Sequence, residues 1–219
     1  RDLFLGREIK EIDFMVVGDG IKFARALADE LKVKKIVPFQ RFSTARIPYK
    51  KIPLEVASAR TESYDESSRK PDNIQYTDLK GDLLRRDFTI NAMAIDLHPK
   101  RFGELADPFK GILDLQAKKL VTPLDPDKTF SDDPLRMMRA AYFSAKLDMR
   151  VEPKEKESMN RQSERIKIVS WERITAEFLK ILSCPKPSIG LKLLQHTGLM
   201  KYIFPEIDAM WGLEQTSEW

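Results

Sequence analysis

Cysteine is nearly missing from this sequence: Cys184 stands alone, which excludes an internal disulfide framework and any cysteine-rich zinc site. Histidine is almost as scarce. With only His98 and His196, a histidine-based metal cluster is excluded as well. No apolar run approaches the ~18 residues that a membrane helix needs. No secretory or transit segment opens the chain, because Arg1-Asp2-Leu3-Phe4-Leu5-Gly6 is too short and too polar at its start. An initiating methionine is also missing, which reads as a start inside a longer protein, with the cytoplasm as default location. Neither sign of charge dominates. Lys and Arg number 38 against 34 Asp and Glu, and the net charge of +4 suits a well-solvated surface and leaves nucleic-acid binding open. Over 219 residues, 42% apolar and 33% charged exclude a disordered polyelectrolyte. That length gives one large domain or two small ones, each with a core.

The apolar pattern divides the chain. Ile12 to Val17 suits a strand, Gly18-Asp19-Gly20 punctuates it, and Ala24, Leu27, Ala28 and Leu31 then repeat at helical spacing. Strands are expected around Phe42 to Tyr49 and Ile52 to Ala57, the latter with Ile52, Leu54 and Val56 on one face and Glu55 on the other. Thr61 to Asp82 is polar, with Pro71, Asp72, Asn73 and Gly81, and reads as a long mobile loop. A strand from Ala92 to Leu97 and a turn-rich stretch from Pro99 to Gly111 follow. Beyond Ser131 every segment reads as helix, with Pro185 and Pro187 as a break. The fold class is α+β: a mixed first half and an all-helical second half.

Three groups of residues can carry chemistry. Glu11 and Asp13 are two apart on a strand, so period two places both carboxylates on one face, opposite Ile12 and Phe14. Glu55 from another strand completes a trio. Like charges repel, so such a cluster usually exists to hold cations, and magnesium accepts one or two protein carboxylates plus phosphate oxygens. Arg85-Arg86-Asp87 with Asn91 supplies guanidinium forks for phosphate, and an acid and an amide suited to ribose hydroxyls. Asp133 and Arg136 lie three apart on a predicted helix. Together they present an acceptor beside a donor, which matches the amino group and ring nitrogen of cytosine and adenine and rejects uracil and guanine. Arg139 continues that face toward a phosphate. The other singled-out residues read as structure: Trp171 and Phe178 as packing aromatics, Cys184 as a buried small residue, and His196 as part of a helix cap. Lys32, Lys34 and Lys35 read as a solvated run.

These residues stand in blocks that resemble a known family, the class II nucleotidyltransferases that comprise bacterial-type CCA-adding enzymes and poly(A) polymerases. The blocks are RDLFLGREIKEIDFMVVGDG, IPLEVASARTESY, LLRRDFTINAMAIDL, DPFKGILDL and TPLDPDKTFSDDPLRMMRAAYF, with ERITAEFLKIL and PSIGLKLLQHTGLMKYIFPEI beyond. The resemblance implies a polymerase-β-like catalytic head over residues 1–122, a helical neck over 123–184 and the start of an RNA-binding body over 185–219. It implies transfer of nucleotides from CTP and ATP to the 3′ end of tRNA, with Mg2+ held by Glu11, Asp13 and Glu55. Arg1 matches a phosphate-loop arginine and Arg86 a nucleotide-binding one. Asp87 and Asn91 are ribose candidates. Asp133, Arg136 and Arg139 match the nucleotide template and its phosphate-contacting neighbour. The chain departs from the family pattern in four places. Glu11 replaces an aspartate, the glycine pair before Arg1 is absent, Tyr142 replaces an arginine and Ser43 replaces a turn glycine. Val37 to Ile47 lacks the His-Val pattern of bacterial poly(A) polymerases, which favours CCA addition over poly(A) addition; C-only or A-only addition is an alternative that the shared motifs do not separate. A non-catalytic RNA-binding relative is the rival from another class.

Overall fold

The computed structural model describes residues 1–64 and 71–214. They form two compact units: Arg1–Tyr64, Pro71–Arg86 and Asn91–Phe109 make the first, and Asp87–Ile90 with the chain from Lys110 onward makes the second.

In the first unit, β1 (Ile12–Val16) is followed by α1 (Gly20–Glu30), β2 (Val37–Phe39), β3 (Thr44–Ile47) and β4 (Leu54–Ser58). The sheet order is β1-β4-β3-β2, with β1 parallel to β4 and the other neighbours antiparallel. Asp19 starts α1 by accepting the Lys22 N–H at 2.9 Å, the usual service of a carboxylate at a helix entry. The helix then lays Ala24 and Ala28 on a core of Ala45, Ile47, Leu54 and Val56. Because strands alternate, burying Leu54 and Val56 turns Glu55 to the other face. The same parity turns Asp13 and Arg46 there. Ile12, expected on the buried side, is 38% exposed because it opens the strand.

The expected loop from Thr61 to Asp82 is corrected. Antiparallel β5 (Arg60–Tyr64) and β6 (Pro71–Tyr76) pair there, and α2 (Leu79–Leu84) follows; residues 65–70 lie outside the described residues. The Ala92 to Leu97 strand shrinks to β7 (Ala94–Ile95). Its partner β8 (Leu105–Ala106) rises from the stretch that read as turns. Ser43 sits between a single 3-10 turn and β3 with φ of 47°, a left-handed geometry that suits the glycine it replaces.

The second unit is mainly helical: α3 (Gly111–Gln116), β9 (Lys119–Leu120), α4 (Pro126–Asp132), α5 (Leu135–Leu147), β10 (Arg150–Val151), α6 (Pro153–Gln162), α7 (Trp171–Leu182), α8 (Pro187–His196), α9 (Met200–Ile203) and α10 (Pro205–Ala209). Here β9 and β10 pair in parallel, so the segment beyond Ser131 is not wholly helical. Helix α5 is the centre of the core, with Met137, Met138, Ala140 and Ala141 fully buried. Its small residues admit α8 at close range. A Cβ added at Gly190 would meet the Ala141 carbonyl oxygen at 2.9 Å and Ile181 Cγ2 at 2.7 Å. Gly190→Ala is therefore expected to lower stability by about 1–3 kcal/mol, read as an earlier urea midpoint.

Three structural expectations change. Trp171 is 57% exposed, whereas Phe178 is buried and lies 4.5 Å from the Phe204 ring. Trp171 is the first residue of α7, where fewer neighbours reach a side chain. Cys184 is only half-buried, at the exposed end that Pro185 enforces, and its thiol donates to the Lys180 carbonyl at 3.2 Å. At the end of α8 the side-chain bond comes from Thr197, which donates to the Leu193 carbonyl at 2.8 Å, rather than from His196.

Candidate active site

Asp13 and Glu55 face each other across the parallel pair β1·β4, at directly opposed register positions. Opposed residues project from the same side of a sheet, so the two carboxylates share the face turned away from α1. Glu11 lies just before the strand. Desolvation, followed by the charges of Glu11 and Glu55, pushes the Asp13 carboxyl above the usual aspartate range, and Arg86 pulls against them. A pocket of about 220 Å³ opens here, walled in part by Asp13, Glu55, Arg46, Asp82, Arg85 and Arg86.

Asp82 escaped the sequence reading and organises the basic wall. It is 1% exposed. Its Oδ1 accepts from Arg85 Nη2 at 2.7 Å, and its Oδ2 from Arg86 Nη2 at 3.2 Å. The signal was present: Asp82 precedes Arg85 and Arg86 by three and four residues, the spacing at which helical side chains meet. Arg85 Nε also donates to the Arg60 carbonyl at 2.8 Å. Arg86 Nη1 lies 3.4 Å from the Asn91 carbonyl, and its buried Nε has no hydrogen-bond partner among the described residues. Arg1 and Asn91, ninety positions apart, are joined by a 2.6 Å bond from Arg1 Nη1 to Asn91 Oδ1.

The second unit holds another constellation. Asp87 is 7% exposed; its Oδ1 accepts the Phe88 N–H at 2.8 Å and its Oδ2 takes Arg139 Nε at 2.7 Å and Nη2 at 2.6 Å. Burial works against the Arg139 charge. Asp87 chiefly, with Glu177 and Asp133, more than offsets that, so the guanidinium stays above the usual arginine value. Asp87 thus orients Arg139, a pairing that sequence spacing could not reveal. Removing one member of such a pair strands the other charge. Asp87→Ala is expected to cost about 2 kcal/mol in chemical denaturation, and Asp87→Asn less.

Asp133 is not helical, contrary to expectation. It follows α4 in extended conformation because Pro134, next in line, disfavours helix at the residue before it. Its Oδ1 accepts the Leu135 N–H at 3.2 Å and its Oδ2 lies 3.5 Å from Arg173 Nη2. Arg136 lies within α5, 8% exposed, with Nη1 donating to the Thr129 carbonyl at 3.3 Å. The two residues therefore meet through a bend rather than along one helix face: the Arg136 N–H bonds the Asp133 carbonyl at 3.0 Å. Tyr142 accepts a 2.7 Å bond from Lys146 Nζ at its hydroxyl.

Among the described residues, no three His, Cys, Asp or Glu side chains form a ready metal-binding group. The donor chemistry nevertheless fits a hard divalent cation. Asp13 and Glu55 offer two carboxylates and Glu11 adds charge; desolvation first, and then the charges of Glu11 and Glu55, raise the proton affinity of Asp13, and a bound cation relieves that penalty on its charged form. Magnesium takes one or two such ligands and fills the rest with water and phosphate.

Comparison with known proteins extends these observations. The family described as "Poly A polymerase head domain" matches residues 1–121. A second, described as "Probable RNA and SrmB- binding site of polymerase A", matches residues 148–210. The A-adding tRNA nucleotidyltransferase of Aquifex aeolicus (strain VF5) is 40% identical over 151 residues, 69% of this chain and 18% of that protein. The CCA-adding enzyme of Lactobacillus helveticus (strain DPC 4571) is 36% identical over 203 residues, 91% of this chain and 48% of that protein. A solved tRNA nucleotidyltransferase, complexed with a primer tRNA and an incoming ATP analog, superposes with a TM-score of 0.80 at 29% identity, over 99% of this chain and 58% of that one. The chain thus spans about half the length, or less, of these relatives.

Proposed function

Because the chain belongs to the poly(A) polymerase head-domain family, which unites class II CCA-adding enzymes with poly(A) polymerases, we propose that it transfers nucleotides from CTP and ATP to the 3′ end of tRNA, completing the CCA terminus. The observation that carries the reading is the opposition of Asp13 and Glu55 on adjacent strands, in a pocket whose other wall is Arg85 and Arg86. Acids to hold cations beside guanidinium forks for phosphate are what nucleotidyl transfer requires.

Asp13 and Glu55 are the residues that would hold Mg2+, with Glu11 beside them adding negative charge. When bound, a magnesium pair supplies Lewis acidity at the terminal ribose hydroxyl and charge neutralisation at the departing pyrophosphate. Arg86 and Arg85, pre-aimed by Asp82, take phosphate oxygens, and Arg139 takes a further one. Arg1 and Asn91 hold the approach to the sugar and phosphates. Asp133 accepts from the exocyclic amino group of the incoming base while Arg136 donates to its ring nitrogen, which admits C and A. Attack at the α-phosphorus is in line, so the protein acts mainly by positioning and by charge. In this assignment residues 1–122 are the catalytic head, 123–184 the neck that reads the base, and 185–219 the beginning of a tRNA-gripping body, working in the cytoplasm.

The test is incubation of the protein with tRNA lacking CCA and labelled CTP and ATP. Addition of two C residues and one A is expected. A long homopolymer would identify a poly(A) polymerase, and no incorporation would favour the non-catalytic RNA-binding reading. The 40% identity to an A-adding enzyme supports a second reading, A-only addition. It would show as extension of tRNA ending in CC and none of tRNA lacking both C residues.

A further inference from the structure

Arg46 matches no sequence pattern, yet the sheet assigns it a distinctive place. It is directly opposite Glu55 on β3·β4, and Glu55 is directly opposite Asp13 on β4·β1. Arginine, glutamate and aspartate therefore form one row across three strands on one face. Arg46 Nε lies 4.0 Å from Glu55 Oε1, and both side chains are more than half exposed, at 53% and 56%. Such a pair is loose and opens at little cost. Arg85 and Arg86, in the same pocket, are instead anchored on the buried Asp82.

We infer that Arg46 is a positioning residue that competes with the divalent cation for Glu55 and so sets the cation concentration at which this face fills. The inference rests on the reading that Asp13 and Glu55 hold the cation. A guanidinium at this distance acts through its charge and lowers the negative potential of the carboxylate row without a hydrogen bond to it. Its removal leaves the row more negative. The opposing effect is screened, so its size is modest and depends on salt.

The experiment is Mn2+ titration of the purified protein without nucleotide, following free Mn2+ by electron paramagnetic resonance. Arg46→Gln is expected to bind Mn2+ roughly two- to fivefold more tightly than the parent at low salt, with the gain shrinking at high salt. Arg46→Lys keeps the charge and is expected to stay near the parent value. In a Glu55→Gln background, Arg46→Gln is expected to lose most of its effect. Unchanged or weaker binding in Arg46→Gln, with binding still lost in Asp13→Asn, overturns the role of Arg46 and leaves the metal reading standing. Parent-like Mn2+ binding in Asp13→Asn overturns the metal reading itself, and the role of Arg46 with it.

Discussion

Asp13→Asn is expected to lower the turnover rate of nucleotide addition by about 10³-fold or more, because loss of a metal-holding carboxylate forfeits several kcal/mol of transition-state stabilisation. The fold should tolerate the change. Burial and the charges of Glu11 and Glu55 penalise the ionised Asp13, so a neutral isostere removes repulsion. Asp13 is exposed enough for water to screen this repulsion, so the melting temperature is expected to rise only slightly. An inactive variant slightly more stable than its parent separates a functional residue from a structural one. The sign with pH follows the same logic. Folding raises the Asp13 pKa, so this carboxylate opposes folding once pH rises above its unfolded value, and the penalty is complete above the folded one. Parent and Asp13→Asn should therefore be about equally stable at low pH, and the variant should gain its advantage as pH increases through that window. Protons and divalent cations also compete for the same oxygens. Mn2+ affinity of the parent should thus fall as pH drops through the raised Asp13 value.

The second large effect is expected in fidelity. Asp133→Ala removes the acceptor for the exocyclic amino group of C or A but leaves the Arg136 donor, so UTP and GTP are no longer rejected by an unpaired carbonyl facing a carboxylate. Discrimination of CTP over UTP should fall by about 10- to 100-fold, the worth of one good pair of base contacts. The change is read by competing labelled nucleotides on the same tRNA. Asp133 also accepts the Leu135 N–H and faces Arg173, so a stability loss of about 1 kcal/mol accompanies it. A loss of rate that is equal for all four nucleotides would make Asp133 a structural residue. Arg173→Ala offers a control: it leaves the Asp133 carboxylate in the chain but removes one of its supports, and a smaller loss of discrimination is expected.

Much of this architecture was legible wherever apolar periodicity was strong. Ala24, Leu27, Ala28 and Leu31 specify α1, and Leu54 and Val56 specify which way Glu55 points, since period two leaves no choice once one face is buried. The opposition of Glu55 to Asp13 was an expectation only, because register between distant strands leaves no mark on either one. The β5·β6 pair was missed because its sequence is polar and does not alternate. Its residues Thr61, Tyr64, Ile74 and Tyr76 favour strands, but propensity without an alternating apolar pattern is a weak signal. Asp133 was assigned to a helix on spacing alone, although Pro134 beside it disfavours that conformation. Asp82 and Arg46 escaped for different reasons. The first was hidden inside a stretch read as a loop, and the second becomes meaningful only when β3 is set beside β4.

The most direct measurement is a crystal structure of the protein soaked with Mn2+ and a non-hydrolysable CTP analogue, using the anomalous signal of manganese. The account predicts an anomalous peak about 2.0–2.2 Å from carboxylate oxygens of Asp13 and Glu55 and shared with triphosphate oxygens. Manganese bound elsewhere, with those two carboxylates bare and the triphosphate away from Arg86, would contradict it.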